Sequence, residues 1–210
     1  MAEQVGILGT GRMGSALARL LVGAGCEVMI GSRSPERARA AAEEASGASA
    51  SSKVIAGDYV MAARDSKIVI LALPYRDVDP LLRELESELE GKIVVDITNP
   101  FGAAPPGLSG AEIHAPLLPG TASLVAAFKT NYFRYFDPAV RGGIVHDAFY
   151  CGEEEAAKKR VADLIAATGF RPVDCGTLES ARTLDAMVPL LMEIARRNNS
   201  ESLFAWKFLP

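Results

Sequence analysis

Short, almost unbroken apolar runs alternate with stretches whose apolar residues recur every three or four positions through the first two-thirds of the chain. The runs Val5–Leu8, Glu27–Ile30, Lys67–Leu73, Lys92–Ile97 and Ser123–Phe128 are rich in β-branched residues and lack polar alternation. Strands buried on both faces read this way, because neither face has to meet water. Between them, Arg12–Ala24, Pro35–Ala45 and Val78–Leu89 carry the helical period. The alternation predicts a mainly parallel sheet with helices on both faces.

Local punctuation agrees with this division. Ser34-Pro35 places a capping hydroxyl before a proline suited to the first helical position. Ala24-Gly25 closes the first helix with a residue that tolerates a left-handed backbone. A brief strand near Val54–Ala56 and a short helix after Asp58 fill the space before the next long strand. Pro100–Gly110 holds three prolines and three glycines and is a loop,. Thr130–Gly143 is aromatic but follows neither period, which predicts a binding loop rather than a core element. Beyond it a strand at Val145–Cys151, a helix at Glu153–Thr168, a strand at Phe170–Asp174 and a helix from Leu178 to about Arg197 form a small α/β unit. The expected division is therefore a nucleotide-binding domain over 1–129 and a smaller domain over 130–210 that shapes a second-substrate pocket.

Candidate chemistry enters at the first strand-to-helix turn. Gly9-Thr10-Gly11-Arg12-Met13-Gly14 follows a strand directly and opens a helix. In that context the first glycine permits the tight turn, the second lets amides approach a pyrophosphate, and the third lets helix and strand pack closely. The competing reading is a glycine-bearing turn with no ligand. With the turn in place, the predicted fold is a Rossmann-type doubly wound sheet plus the small C-terminal unit. The second strand ends Ile30-Gly31-Ser32-Arg33-Ser34 with no acid. A carboxylate there would hold a ribose 2′-hydroxyl, whereas Ser32 and Arg33 suit a 2′-phosphate, so the cofactor is NADP(H) rather than NAD(H). Arg37, a turn onward, is either a third phosphate ligand or part of a solvated helix start. Leu73-Pro74 and Asn99-Pro100 end two further strands at the same crevice, where they border the nicotinamide ribose or merely stop the strands.

Bulk properties exclude some classes. The 210 residues are 49% apolar and 23% charged, with a net charge of −4 and no basic stripe, so neither disorder nor a nucleic-acid surface is indicated,. Three scattered cysteines form neither a disulfide framework nor a zinc site,. No secretory leader opens the chain and no apolar run could span a bilayer, which leads to the expectation of a cytoplasmic protein. His114 and His146 read as surface or packed residues. Lys129 is the remaining acid–base candidate, against the alternative of a strand-end lysine pointing to solvent. Without a convincing proton donor, a hydride passed directly between two stacked redox rings needs only positioning.

The GTGRMG turn, the GSR strand end, IVVDITNP and CGEEEAAKKRVADLIAATGFRPVDCGTLESAR together resemble the NADPH:coenzyme F420 oxidoreductase family, as does the C-terminal run from Pro189 to Leu209. The Gly169–Arg182 pattern is also shared with metalloreductase cytoplasmic domains, and a chain ending without a membrane segment is expected to belong to the former. The resemblance implies hydride exchange between NADP(H) and an 8-hydroxy-5-deazaflavin, with Thr10, Arg12 and Met13 at the pyrophosphate. It implies a deazaflavin between the two domains, against Thr130, Asn131, Tyr132 and Phe204. The aromatic character of this loop leaves other acceptors open: a flavin, a ferric chelate or an imine, or NADP(H) binding without turnover. The apolar last helix, with Trp206 and Phe208, leads to the expectation of a homodimer.

Overall fold

The computed structural model describes residues 2–47, 54–199 and 205–209. Among these, eight strands form one sheet: β1 (Gln4–Leu8), β2 (Glu27–Gly31), β3 (Ile55–Gly57), β4 (Ile68–Leu71), β5 (Ile93–Asp96), β6 (Ser123–Ala127), β7 (Asp147–Gly152) and β8 (Arg171–Asp174). Their spatial order is β3-β2-β1-β4-β5-β6-β7-β8. All neighbours run parallel except β6 and β7, which are antiparallel. The strands of the C-terminal unit thus extend the same sheet.

The absence of alternation has the expected cause. Every residue of β4 and β5 is buried, with helices above and below. One face carries α1 (Arg12–Gly23), α2 (Pro35–Ser46) and α6 (Glu155–Ala167), packed on Val5, Ile7, Ile68, Ile70 and Val95. The other carries α3 (Tyr59–Arg64), α4 (Val78–Glu84), α5 (Gly110–His114) and α7 (Ala181–Arg197), packed on Leu8, Val69, Leu71 and Val94. Successive strand residues point to opposite faces, so these two core sets are the odd and even positions of the same apolar runs.

Four segments differ from the sequence reading. The helix expected over Val78–Leu89 ends at Glu84 and continues as a 3-10 turn at Ser87–Leu89. The last helix begins at Ala181, after a 3-10 turn at Leu178–Ser180. The strand expected from Val145 starts at Asp147, leaving Ile144 and Val145 exposed. The loop at 130–143 contains two 3-10 turns, Phe133–Phe136 and Pro138–Arg141, and it is not wholly separate from the core. Phe136 meets Phe128 and Phe170 edge-on at 5.7 and 5.8 Å, an aromatic cluster that no period of the sequence announces,. Among the described residues no helix is long and apolar enough to cross a membrane.

Candidate functional site

The strand order reverses direction between β1 and β4, and parallel sheets bind ligands beyond the strand ends at such a point,. The glycine turn lies there. Gly9 has φ +125°, and a Cβ on it would stand 2.3 Å from the Ala72 carbonyl oxygen. A Cβ on Gly14 would lie 2.0 Å from the Gly9 carbonyl oxygen, so helix and strand meet only because both residues lack side chains. Gly11 is different: a Cβ there would meet nothing within 4 Å. It is the N-cap of α1, with no side-chain cap bond and no acid in the first turn. The opening amides of a helix have no intrahelical acceptor, and here they face open space with the helix dipole behind them. These features fit a bound pyrophosphate.

From this turn a cleft of about 850 Å3 runs across the strand ends. Gly11, Arg12 and Met13 of the glycine turn line it, with Leu73, Pro74, Asn99 and Pro100 from the strand ends. Thr130, Asn131, Tyr132 and Phe133 also line it, and Val188, Leu191, Met192 and Ala195 of α7 form an apolar wall. Arg12 sits over the Phe133 ring at 5.2 Å, joining the glycine turn to the aromatic loop,. Thr10 is absent from this lining; its carbonyl accepts a hydrogen bond from the Ser15 hydroxyl. Phe204 lies outside the described residues.

The 2′-phosphate candidates sit beside the cleft. Arg33 lines a depression of about 70 Å3 with Tyr59, Asp77 and Glu84, and Leu73 borders both spaces. Ser32 is buried, its hydroxyl accepting from the Ser34 amide. Arg37 is exposed on α2 and lines neither space, while its amide donates to the Ser34 hydroxyl that caps the helix.

Lys129 corrects the expectation of a solvent-pointing lysine. Its side chain is 0% exposed and lines the cleft. Phe128 before it has φ +53°, a left-handed turn that carries the chain out of β6 and aims Lys129 beneath the cleft. The buried ammonium lies 2.9 Å from Asp185 Oδ1 and 3.9 Å from Asp96 Oδ2, and it donates to the Thr98 carbonyl. Asp96 Oδ1 accepts from the Thr98 amide and hydroxyl, both at 2.7 Å, and Asp96 Oδ2 is 3.0 Å from His114 Nδ1. Burial by itself would raise the Asp96 carboxyl, but the Lys129 ammonium, His114 and Thr98 outweigh it and hold it at about 2. His114 is wholly buried, its Nε2 3.4 Å from Asp79. It is therefore a packed residue and not a surface one.

Sequence reasoning missed Asp96 and Asp185 at this site. An acid ending the apolar run IVVD was a usable signal for Asp96. Nothing local marked Asp185, a lone acid between Leu184 and Ala186 in the second turn of α7. Cys151 is buried, and burial followed by the nearby Cys175 pushes its thiol up to about 12, which fits an inert core thiol,.

Strand order, glycine turn and cleft together define a dinucleotide-binding protein of the oxidoreductase type. Residues 4–100 match the family model described as NADP oxidoreductase, coenzyme F420-dependent. The chain is 34% identical to the F420-dependent NADP reductase of Methanocaldococcus jannaschii over 199 residues, covering 88% of each chain. It is also 34% identical to rat metalloreductase STEAP3, covering 90% of this chain but 37% of that protein. A solved structure from Arthrobacter sp. FB24 superposes with a TM-score of 0.81 over 99% of both chains, at 26% identity. The chain belongs to the coenzyme F420-dependent NADP oxidoreductase family.

Proposed function

We propose that this protein binds NADP(H) along the glycine turn and exchanges a hydride with coenzyme F420, an 8-hydroxy-5-deazaflavin, bound in the same cleft. The observation that carries the reading is one cleft lined both by a capless helix N-terminus and by an apolar wall of α7. Two coenzymes laid end to end would bring their rings together in its middle. The coenzymes supply the hydride chemistry; the chain binds, orients and excludes water.

In this reading Gly9, Gly11 and Gly14, with Thr10, Arg12 and Met13, shape the pyrophosphate loop. Ser32 and Arg33, with Arg37 as an outer ligand, select the 2′-phosphate, and Leu73, Pro74, Asn99 and Pro100 border the nicotinamide ribose. The deazaflavin lies against Thr130, Asn131 and Tyr132, with Phe204 as a further contact. Residues 1–129 serve the nucleotide and residues 130–210 the acceptor. The protein acts in the cytoplasm, as a homodimer and without nucleic-acid partners. Lys129, the one acid–base candidate, is engaged with Asp185 and Thr98, which favours a direct hydride step between the rings,.

The test mixes purified protein with NADPH and oxidised F420 and follows the deazaflavin absorbance. Loss of that absorbance matched to NADPH consumption is expected. Absence of transfer above the protein-free rate, with NADPH still bound, would overturn the F420 assignment.

A further inference from the structure

We infer that Lys129 and Asp185 are positioning residues: the buried pair they form sets the distance between the acceptor-side wall of the cleft and the nucleotide-side strand tips. The inference rests on the two-coenzyme reading above and adds to it the device that fixes the ring separation.

The geometry supports this in three ways. First, the Lys129 ammonium is a junction. It donates to the Thr98 carbonyl at the tip of β5, on the nucleotide side, and pairs at 2.9 Å with Asp185 on α7, the acceptor side. The Lys129 carbonyl accepts from the Asn99 side-chain amide at 3.0 Å, so the next strand-tip residue is tied to the same point. Asp185 Oδ2 accepts from the Gly110 amide at 2.9 Å, which fastens α7 to the start of α5 as well.

Second, α7 is fastened at its exposed start by Arg182, which pairs with Glu112 of α5, and near the cleft by a narrow apolar seam. Ala181, Leu184, Leu191 and Ala195 are its buried residues. Leu190, Met192 and Ile194 are 52%, 52% and 42% exposed. With Arg182 and Glu112 anchoring the first turn, the Lys129–Asp185 pair is the buried directional contact that bears on the part of α7 lining the cleft. Asp185 lies one turn before Val188, where the cleft wall begins.

Third, the arrangement is maintained against its own cost. A buried ion pair is often no more stabilising than the apolar packing that could replace it, so bulk stability does not account for it. Phe128 also holds a left-handed backbone without being glycine. It is kept there by edge contacts with Phe136 and Phe170 at 5.7 and 6.1 Å, and strain of this kind persists only where surroundings over-determine it,. The strained residue is the one that turns Lys129 inward. Fixed ring separation is what a hydride step needs, because displacement of about 1 Å from the reacting geometry can cost about a hundredfold in rate.

The experiment compares Asp185→Ala, Asp185→Asn and Lys129→Met with the wild type. Four measurements are made: NADPH affinity by fluorescence titration, steady-state constants for F420, amide hydrogen exchange across α7 and the β5 tip, and the primary isotope effect as a function of temperature. The Asp185 variants are expected to bind NADPH within about twofold of the wild type, since the glycine turn is untouched and Lys129 keeps its bond to the Thr98 carbonyl. Asp185→Ala should lower kcat/KM for F420 by about ten- to a hundred-fold and speed exchange in α7 alone. Lys129→Met, which also strips Asp96 of its cation, should lower it as much and speed exchange at the β5 tip as well. The primary isotope effect with 4-deuterated NADPH should become more temperature-dependent as the ring separation loosens. Asp185→Asn keeps one acceptor oxygen, for either Lys129 or the Gly110 amide, without the charge, and should fall between. If Asp185→Ala exchanges as the wild type does, or loosens α7 while keeping wild-type F420 constants, the inference is overturned. If the wild type binds NADPH but moves no hydride to F420, the functional reading fails on its own, and α7 exchange still decides whether the ion pair fixes the helix.

Discussion

Gly11 separates two roles that the glycine turn combines. Gly9 and Gly14 are required by the protein itself, since a methyl on either would meet backbone oxygen at 2.3 or 2.0 Å. Gly11 has φ −76° and ψ 179°, a conformation open to alanine, and its side-chain direction is empty. Gly11→Ala should therefore fold with a stability within about 0.5 kcal/mol of the wild type. It should nonetheless weaken NADPH by more than about tenfold, because the methyl occupies the space where amides approach the pyrophosphate. Calorimetric unfolding and a NADPH titration on the same preparation check both halves. Arg33 is the second test at this scale. Arg33→Ala should cost NADPH binding about 1.5–3 kcal/mol, the worth of a hydrogen bond to a charged group, and leave NADH nearly unchanged. Equal losses for the two cofactors would remove Arg33 from the phosphate site.

At the level of elements, boundaries were legible where a side chain closes its own helix. Ser34 accepts from the Arg37 amide at the start of α2, as the Ser-Pro signal predicted. Ser109 and Glu112 form a reciprocal capping box at α5, within a stretch whose prolines and glycines drew attention to the loop alone. Ser109 is buried, so its loss leaves the helix start unsolvated as well as uncapped. Ser109→Ala should cost about 1 kcal/mol, read as a lower urea midpoint with an unchanged slope. The strands were readable because burial on both faces leaves a continuous apolar signature. The 3-10 turns at Ser87–Leu89, Phe133–Phe136 and Leu178–Ser180 were not, since three or four residues carry no period,.

For the molecule as a whole, acid provides the clearest probe. Asp96 and Glu112 are both held at about 2: Asp96 by Lys129, His114 and Thr98 against the larger opposing effect of burial, and Glu112 by Arg182, against burial, with Ser109. In the unfolded chain such groups titrate near about 4. The unfolded state therefore binds more protons between these values, so the stability they contribute is complete above about pH 5 and is lost as pH falls toward 2. Urea midpoints measured from pH 7 down to 2 should fall mainly below pH 5, and less steeply in Glu112→Gln. A flat profile over that range would show that neither carboxylate is coupled to folding.

The amino-acid sequence by itself determined the layered sheet, the glycine turn at the end of its first strand and the acid-free end of the second. These are features of neighbouring residues: periodicity, capping and the steric freedom of glycine act over a few positions and survive in the string. Tertiary structure alone decided that Lys129 turns under the cleft, that Asp185 of a distant helix meets it, and that Phe136 belongs to the core. Each depends on which segments are brought side by side, and on a buried charge having to find its partner wherever the fold supplies one.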